Sequence, residues 1–275
     1  MKFAELKSIY VKKFNENGIE EKSDIDWIVV EITGQKRSML PLLDDFSEEE
    51  QSKIELALEK RLQHIPLGLI FGQSEFYGRK FFVTNDTLIP RLDTEVLIEE
   101  MLDIETFSKN SSVLDIGTGS GAIAITLNLE RGCKTYAVDI SDKALEVARR
   151  NAENLGASVE LISSDLFSNI SELKVNFIVS NPPYICSSVI AELDKEVKDN
   201  EPILALDGGE DGLDYYRKII AQAKDHLNKN GMLFFEIGYD QGKAVSDLMK
   251  ADFCDIKVVK DYGDNDRVVY GRLKN

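Results

Sequence analysis

The 275-residue sequence predicts an α/β protein, a doubly wound and mostly parallel sheet that ends in an antiparallel hairpin, with a small helical domain ahead of it. Three observations predict this. From residue 112 onward, short β-branched and aromatic runs alternate with amphipathic stretches of helical period. A glycine-rich turn, Gly117-Thr118-Gly119-Ser120-Gly121, joins the first such run to the first such stretch. The last two runs, residues 256–260 and 267–273, are separated by a short Asp- and Gly-rich loop and so must be antiparallel.

Residues 1–64 read as a helical bundle. Phe3, Leu6, Ile9, Tyr10 and Phe14 form a stripe at helical spacing that stops at Asn17-Gly18. Ser23-Asp24 opens a second segment carrying Ile25, Ile28, Val29 and Ile32, ended by Thr33-Gly34. Ser47-Glu48-Glu49-Glu50 opens a third, as a capping box with acids in its first turn. The bundle is acidic and carries no basic recognition helix, which argues against a DNA reader. It can grip a partner or brace the larger domain; the first use assigns it to substrate recognition.

Residues 65–86 turn β-like, with two aromatic-rich runs around Gly78 that predict a hairpin linker. Residues 87–275 form the large domain. A helix ends near Asp103, and strands at 112–116, 135–139, 159–162, 177–180 and 232–237 then alternate with helices at 121–130, 142–155, 213–227 and 241–249. In this reading Asp142 caps its helix, and Asn230-Gly231 stops the helix before the strand at 232.

Composition bounds the function. A formal net charge of −16 works against sequence-independent binding to a phosphate backbone, which depends on clustered Lys and Arg, and leaves basic proteins as partners. There is no apolar run of membrane-spanning length and no signal-peptide pattern at the N-terminus. Three scattered cysteines, Cys133, Cys186 and Cys254, make neither a disulfide framework nor a metal spacing, so a reducing cytoplasm is expected. No metal is expected either: the acidic turn from Asp207 has Lys218 where a calcium loop needs Glu.

Two motifs carry chemistry. Asn181-Pro182-Pro183-Tyr184 follows the apolar run 177–180 and stops it, because neither proline can donate to a ladder. The pair of prolines holds the Asn181 amide, the Pro182 carbonyl and the Tyr184 ring in fixed relation. Such a corner suits a planar NH₂ group, whose two hydrogens need two acceptors and whose face an aromatic ring can cover. The second motif is the loop 117–121, whose backbone can approach a ligand closely. With Ala122 it also satisfies a dinucleotide fingerprint. Asp139 ends the next strand, where a carboxylate can accept both hydroxyls of a ribose, and Asp165 after the following strand can accept from an adenine amine, with Leu166 or Phe167 against the ring.

A bound nucleoside is thus implied, from NAD or from S-adenosylmethionine. Hydride transfer wants a His or Lys near a nicotinamide, but His64 and His226 both lie in helical contexts away from the strand ends. The amine receptor at Asn181 favours methyl transfer. Orientation alone can activate a poor amide nucleophile by roughly 7 to 11 kcal/mol in favourable cases.

Most of the chain resembles the HemK/PrmC-type peptide chain release factor glutamine methyltransferases. The likeness lies in residues 88–95 (Leu-Ile-Pro-Arg-Leu-Asp-Thr-Glu), 114–121, 181–185, Glu201-Pro202 through 205–213, and Asp266-Arg267. The Pro90-Arg91-Leu92-Asp93-Thr94-Glu95 segment separates this family from its ribosomal-protein glutamine-methylating relatives, which carry Ser-Pro in place of Leu92-Asp93. Two positions depart from the pattern: Leu69 stands where Tyr is usual, and Asp264 where Gly is common.

The resemblance implies a seven-stranded Rossmann-like class I methyltransferase sheet behind the helical domain, with S-adenosylmethionine as donor and S-adenosylhomocysteine as product. The implied acceptor is the glutamine of the Gly-Gly-Gln motif of release factors. It places the donor on Gly117, Thr118, Gly119, Ser120, Gly121, Asp139, Asp165, Leu166 and Asn181, the substrate on Asn181, Pro182, Pro183 and Tyr184, and the chemistry on Asn181, Pro182 and Tyr184. Two other readings remain: an amine methyltransferase acting on a nucleobase or a ribosomal-protein glutamine, and an idle nucleoside-binding scaffold. The charge speaks against direct sequence-specific nucleic-acid binding.

Overall fold

The computed structural model describes residues 1–274; Asn275, the last residue of the domain expected over 87–275, lies outside the described residues. The chain forms two compact units, Met1–Gly72 with Lys195–Asn200, and Gln73–Asp194 with the chain from Glu201 onward.

In the first unit, α1 (Phe3–Glu16), α2 (Ser23–Thr33) and α3 (Glu48–Leu62) bury their apolar stripes around Leu6, Phe14, Ile25, Ile28 and Ile54. The capping box at α3 is formed: the Ser47 hydroxyl accepts the Glu50 N–H at 3.2 Å, and the Glu50 carboxylate accepts the Ser47 N–H at 2.9 Å. A 3₁₀ stretch at Arg37–Leu42 and the short α4 (Leu67–Phe71) went unread in the sequence because each is too short to show a period. Residues 195–200, a single helical turn and its exit, are drawn into this unit by Arg61. Its buried guanidinium donates to Asp24 and to Glu196, each at 2.7 Å.

The second unit opens with a hairpin, β1 (Gln73–Phe76) and β2 (Arg79–Phe82). Its two turn residues, Tyr77 and Gly78, have φ of 49° and 68°, the twist that suits antiparallel strands. There follow α5 (Asp93–Leu102), β3 (Ser112–Ile116), α6 (Ala122–Arg131), β4 (Lys134–Asp139), α7 (Asp142–Leu155), β5 (Val159–Ser163) and β6 (Val175–Ser180). The chain ends with α8 (Asp214–His226), β7 (Leu227–Glu236), α9 (Gly242–Met249), β8 (Phe253–Lys260) and β9 (Asp266–Leu273). The strands form one seven-stranded sheet in the order β5-β4-β3-β6-β7-β9-β8. It is parallel through β7, and β9 runs antiparallel to both β7 and β8, as the short loop before Asp266 required.

Alternation along the central strands serves two cores. Val113, Phe177 and Phe234 pack under α5 and α6, while Leu114, Ile178 and Leu233 pack under α8 and α9. Both faces are covered, which is why these strands read as near-continuous apolar runs.

Two local expectations change. Ser141, not Asp142, caps α7: its hydroxyl accepts the Ala144 N–H, and Asp142 is the first helical residue. Asn230-Gly231 does not stop a helix. The helix already ends at His226, and the chain enters β7 at Leu227, opposite Val175. The two turn residues are absorbed by a register shift between Val175 and Phe177, with Asn230 at φ 62°, a conformation asparagine tolerates. Asp264, where glycine is common, likewise takes φ 65° in the β8–β9 loop, which accounts for that preference.

Gly121 sits where the glycine loop meets α6, at φ 82°. A Cβ there would lie 2.8 Å from Ile125 Cδ1 and 3.2 Å from Ala148 Cβ on α7. Gly121→Ala is therefore expected to destabilise the protein by about 1 to 3 kcal/mol, through overpacking and a strained φ, measured as a lower urea midpoint.

Candidate active site

The strand order reverses between β3 and β6, so α/β crossovers leave the sheet in opposite directions there and open a crevice at the carboxyl ends. Ile116 pairs with Ser180 across that boundary, and the Ser180 hydroxyl donates to the Ile116 carbonyl at 2.7 Å. The glycine loop and the Asn181 corner therefore leave the sheet side by side. A cleft runs between them, lined by Gly117, Thr118, Gly119 and Ser120 on one side, by Asn181, Pro182 and Pro183 on the other, and by Asp139, Asp165 and Leu166 beyond the loop.

The loop is held from three sides. Asp115, wholly buried in β3, accepts the Thr118 hydroxyl at 2.7 Å and the Ala124 N–H at 3.3 Å. Asp139 accepts the Gly119 N–H at 2.9 Å with one oxygen and the Ser141 N–H at 2.9 Å with the other. Asn151, buried on α7, donates to the Ser120 carbonyl and exchanges hydrogen bonds with the Phe82 backbone, which ties the loop to the hairpin. Burial pushes the Asp139 carboxyl up, opposed by the backbone N–H groups it accepts. Each of its oxygens keeps a lone pair for a further donor.

The corner is also braced. The Asn181 amide points its Nδ2 at the buried Thr94 hydroxyl, 3.4 Å away, which leaves Oδ1 as the end available to the cleft. The segment around Gly208 presses on the corner from outside. Gly208 N–H donates to the Ile185 carbonyl at 2.8 Å, and a Cβ on Gly208 would lie 2.7 Å from Tyr184 Cα, so only glycine allows that approach. Gln241 donates to the Tyr184 carbonyl at 3.0 Å and to the Gly212 carbonyl at 3.2 Å, and accepts the Gly238 N–H.

Two of the sequence-named residues lie off the cleft wall. Gly121 is turned into the α6–α7 packing. The half-buried Tyr184 ring packs on the core face that holds Leu114 and Tyr216, and burial pushes its hydroxyl up to about 12. Leu204 and Ala205 add apolar surface to the cleft.

Sequence reasoning missed the supporting side chains. Arg91 donates to the buried Glu201 at 2.5 Å, and Asp93 pairs with Arg267 at 3.2 Å, whose guanidinium also holds Asp261 at 3.0 Å. Glu236, at the end of β7 and 2% exposed, lies beside Asn181, because Ser180 pairs with Phe235. The first two pairs were quoted as motif residues without a role. Glu236 gave no signal at all beyond a charge at the end of an apolar run.

A sheet of this order, opening at its switch point on a glycine loop, is the fold of the class I methyltransferases, and residues 91–194 match the family described as Methyltransferase small domain. Among solved structures, a methyltransferase from Pyrococcus furiosus is similar in fold, with a TM-score of 0.53 and 19% identity over 82% of this chain and 98% of its own. Sequence relatives narrow the class. A release factor glutamine methyltransferase of Bacillus anthracis is 38% identical over 94% of this chain and 95% of its own length. Another, from Cereibacter sphaeroides, is 45% identical over 86% of this chain and 85% of its own. The chain belongs to the release factor glutamine methyltransferase family.

Burial pushes two carboxyls up to about 7, Asp115 under the loop and Glu236 behind the corner. A carboxyl raised in the folded state stabilises that state fully below its unfolded value, near 4, and the contribution is lost as pH rises through the folded value. Asp115→Asn does not titrate. Its stability relative to wild type, measured by urea unfolding of the ligand-free protein, is therefore expected to improve between about pH 4 and about pH 8.

Proposed function

We propose that the protein transfers a methyl group from S-adenosylmethionine to the side-chain amide nitrogen of the glutamine in the Gly-Gly-Gln motif of peptide chain release factors, leaving S-adenosylhomocysteine. The observation that carries this reading is the Asn181 corner: an amide with its donor end engaged by Thr94 and its acceptor end turned to a cleft shared with a glycine loop. Family membership supports the same assignment.

The cleft fits such a donor. Gly117 to Gly119 offer close backbone approach, and Asp139 offers lone pairs at the height expected for a ribose diol. Asp165 and Leu166 offer an acceptor and an apolar face beside them, with Ile140 and Ala144 on the same wall. When bound, S-adenosylmethionine would supply an electrophilic methyl on a sulfonium: as the amide N–C bond forms the S–CH₃ bond breaks, and the methylated nitrogen gives up its extra proton to water, so no oxidant or reductant is needed. The chain's task is orientation. An amide nitrogen is a weak nucleophile because its lone pair is delocalised into its carbonyl. Asn181 Oδ1 and the Pro182 carbonyl accept its two N–H groups, and the geometry they impose directs the lone pair along the cleft toward the glycine loop. Arg91, Asp93 and Thr94 keep that corner from yielding through their bonds to Glu201, Arg267 and Asn181.

The helical unit is assigned to holding the release factor. Trp27, Met39, Leu42 and Leu56 remain exposed on it, as apolar anchors for a protein partner would be. A reducing, cytoplasmic setting agrees with three unpaired cysteines and with the absence, among the described residues, of a helix long and apolar enough to cross a membrane.

Incubation of the purified protein with donor and a release factor is expected to add one methyl to the Gly-Gly-Gln peptide, read by mass spectrometry; an unmodified peptide would overturn the assignment. Asn181→Ala is expected to lower kcat about a hundredfold while the donor's Kd, by calorimetry, changes far less. Equal losses in both would deny the orienting role.

A further inference from the structure

Glu236 is buried behind the Asn181 corner and does not line the cleft. Its position follows from the sheet: Phe235 pairs with Ser180 on β6, so Glu236 and Asn181 are the next residues on adjacent strands. Its other neighbour is Val268 on β9. One carboxyl oxygen, Oε2, has no hydrogen-bond partner among the described residues, an arrangement that packing alone does not call for. Burial opposes the ionised form of the carboxyl, and the Thr94 hydroxyl, the Arg267 charge and the Asn181 amide favour it, against the nearby Asp93 charge.

The donor count of this cluster is informative. Thr94 has one hydroxyl proton and can either donate or accept toward Asn181. A carboxylate can only accept. With Glu236 ionised, the Thr94 proton is drawn to Glu236, and Thr94 has only a lone pair to offer Asn181. That lone pair takes Asn181 Nδ2, the contact seen at 3.4 Å. The amide is thereby fixed with Oδ1 toward the cleft. If Glu236 carries a proton it can donate to Thr94, whose own proton is then free to meet Asn181 Oδ1, and the amide can turn over. In that orientation Asn181 offers an N–H to an incoming NH₂ group and repels it.

We propose that Glu236 is a positioning residue, whose carboxylate acts through Thr94 to keep the Asn181 amide in the one orientation that accepts the target's N–H groups. This rests on the assignment of Asn181 as receptor for the glutamine amide. It makes turnover depend on the ionisation of a group the substrate never touches.

The other charged and titratable groups around Glu236 are Arg267, Asp93, Tyr184 and Tyr216. Arg267 on β9 is cationic and paired with Asp93 on α5 and with Asp261. Tyr184, beyond β6, and Tyr216 on α8 have hydroxyls pushed up by burial and stay protonated. Glu236 itself is pushed up to about 7, so the carboxylate is lost as pH falls below neutral. Asp115 titrates in the same range but under the glycine loop, bonded to Thr118 and not to the corner.

The test is the pH profile of kcat for the full chain on a release factor, under saturating donor and substrate. Wild type should lose activity toward acid through an apparent pKa near 7. Glu236→Gln should lower kcat about 10- to 100-fold, by analogy with other residues that orient a functional side chain, with KM and donor Kd little changed. It should also remove the acid limb. Thr94→Val should behave like Glu236→Gln, and Thr94→Ser, which keeps the hydroxyl, should retain the wild-type profile; this pair serves if the Gln variant does not fold. A Glu236→Gln or Thr94→Val enzyme with wild-type kcat, or a slowed one that keeps the acid limb, overturns the proposal. Failure of the underlying assignment is distinguishable, since wild type would then methylate no glutamine at any pH.

Discussion

The site depends on one constraint, the parallel registration of β3 with β6 at the point where the sheet's winding reverses. Because Ile116 and Ser180 are partners, the glycine loop and the asparagine corner are placed by the same ladder, and the Ser180 hydroxyl closes that ladder at its last rung. A slip of one residue on either strand would turn Val113 and Phe177 out of one core and Leu114 and Ile178 out of the other. Two buried cores thus set the separation of two loops that carry the chemistry.

The start of α5 is the second support. Within five residues the chain places Arg91 on Glu201, Asp93 on Arg267 and Thr94 on Asn181, and Glu95 accepts the Tyr77 N–H at 2.7 Å. These contacts reach four separate segments. The residues of this short polar stretch are thus specified by what they must join. Arg91 and Asp93 are 42% and 54% exposed, so their pairs contribute modestly to stability, and their use lies in geometry. The Glu201 side chain is 1% exposed, and removing Arg91 would leave its carboxylate buried without this cation.

Much of this was legible in the sequence where the signal is local. Pro182-Pro183 ends a strand whatever surrounds it, glycines between a strand and a helix mark a close approach, and alternating periods give the sheet and its antiparallel end. The supports were not legible, because their meaning comes from partners distant in sequence. Glu236 ends an apolar run like any solvated strand terminus, and only β6–β7 pairing places it beside Asn181. Asn151 and Gln241 look like polar positions on helix ends until the loops they hold are folded against them. The close fit around Tyr184 was equally hidden: its ring packs on the core, and the glycines at 208 and 212 fit against its main chain, contacts made by segments distant in sequence.

The same buried carboxyls bear on why the corner is built from an amide at all. An asparagine offers an acceptor without charge, which a neutral glutamine side chain needs, but its two ends are nearly isosteric, and nothing in its shape forbids the inverted orientation. Selection between them must come from a neighbour with an unequal donor count. Glu236 is such a neighbour and Thr94 alone is not, since a hydroxyl serves either end of the amide. Burying a carboxylate for this purpose costs stability at the pH where it is ionised, and Asp115 adds a second such cost beneath the loop. Both lie where strands of the sheet end at the cleft, and the apolar layers on either side of the central strands offset them. A large sheet with two cores is what makes two buried acids tolerable, together with the hydrogen bonds Asp115 accepts from Thr118 and Ala124 and the Arg267 charge that favours ionised Glu236.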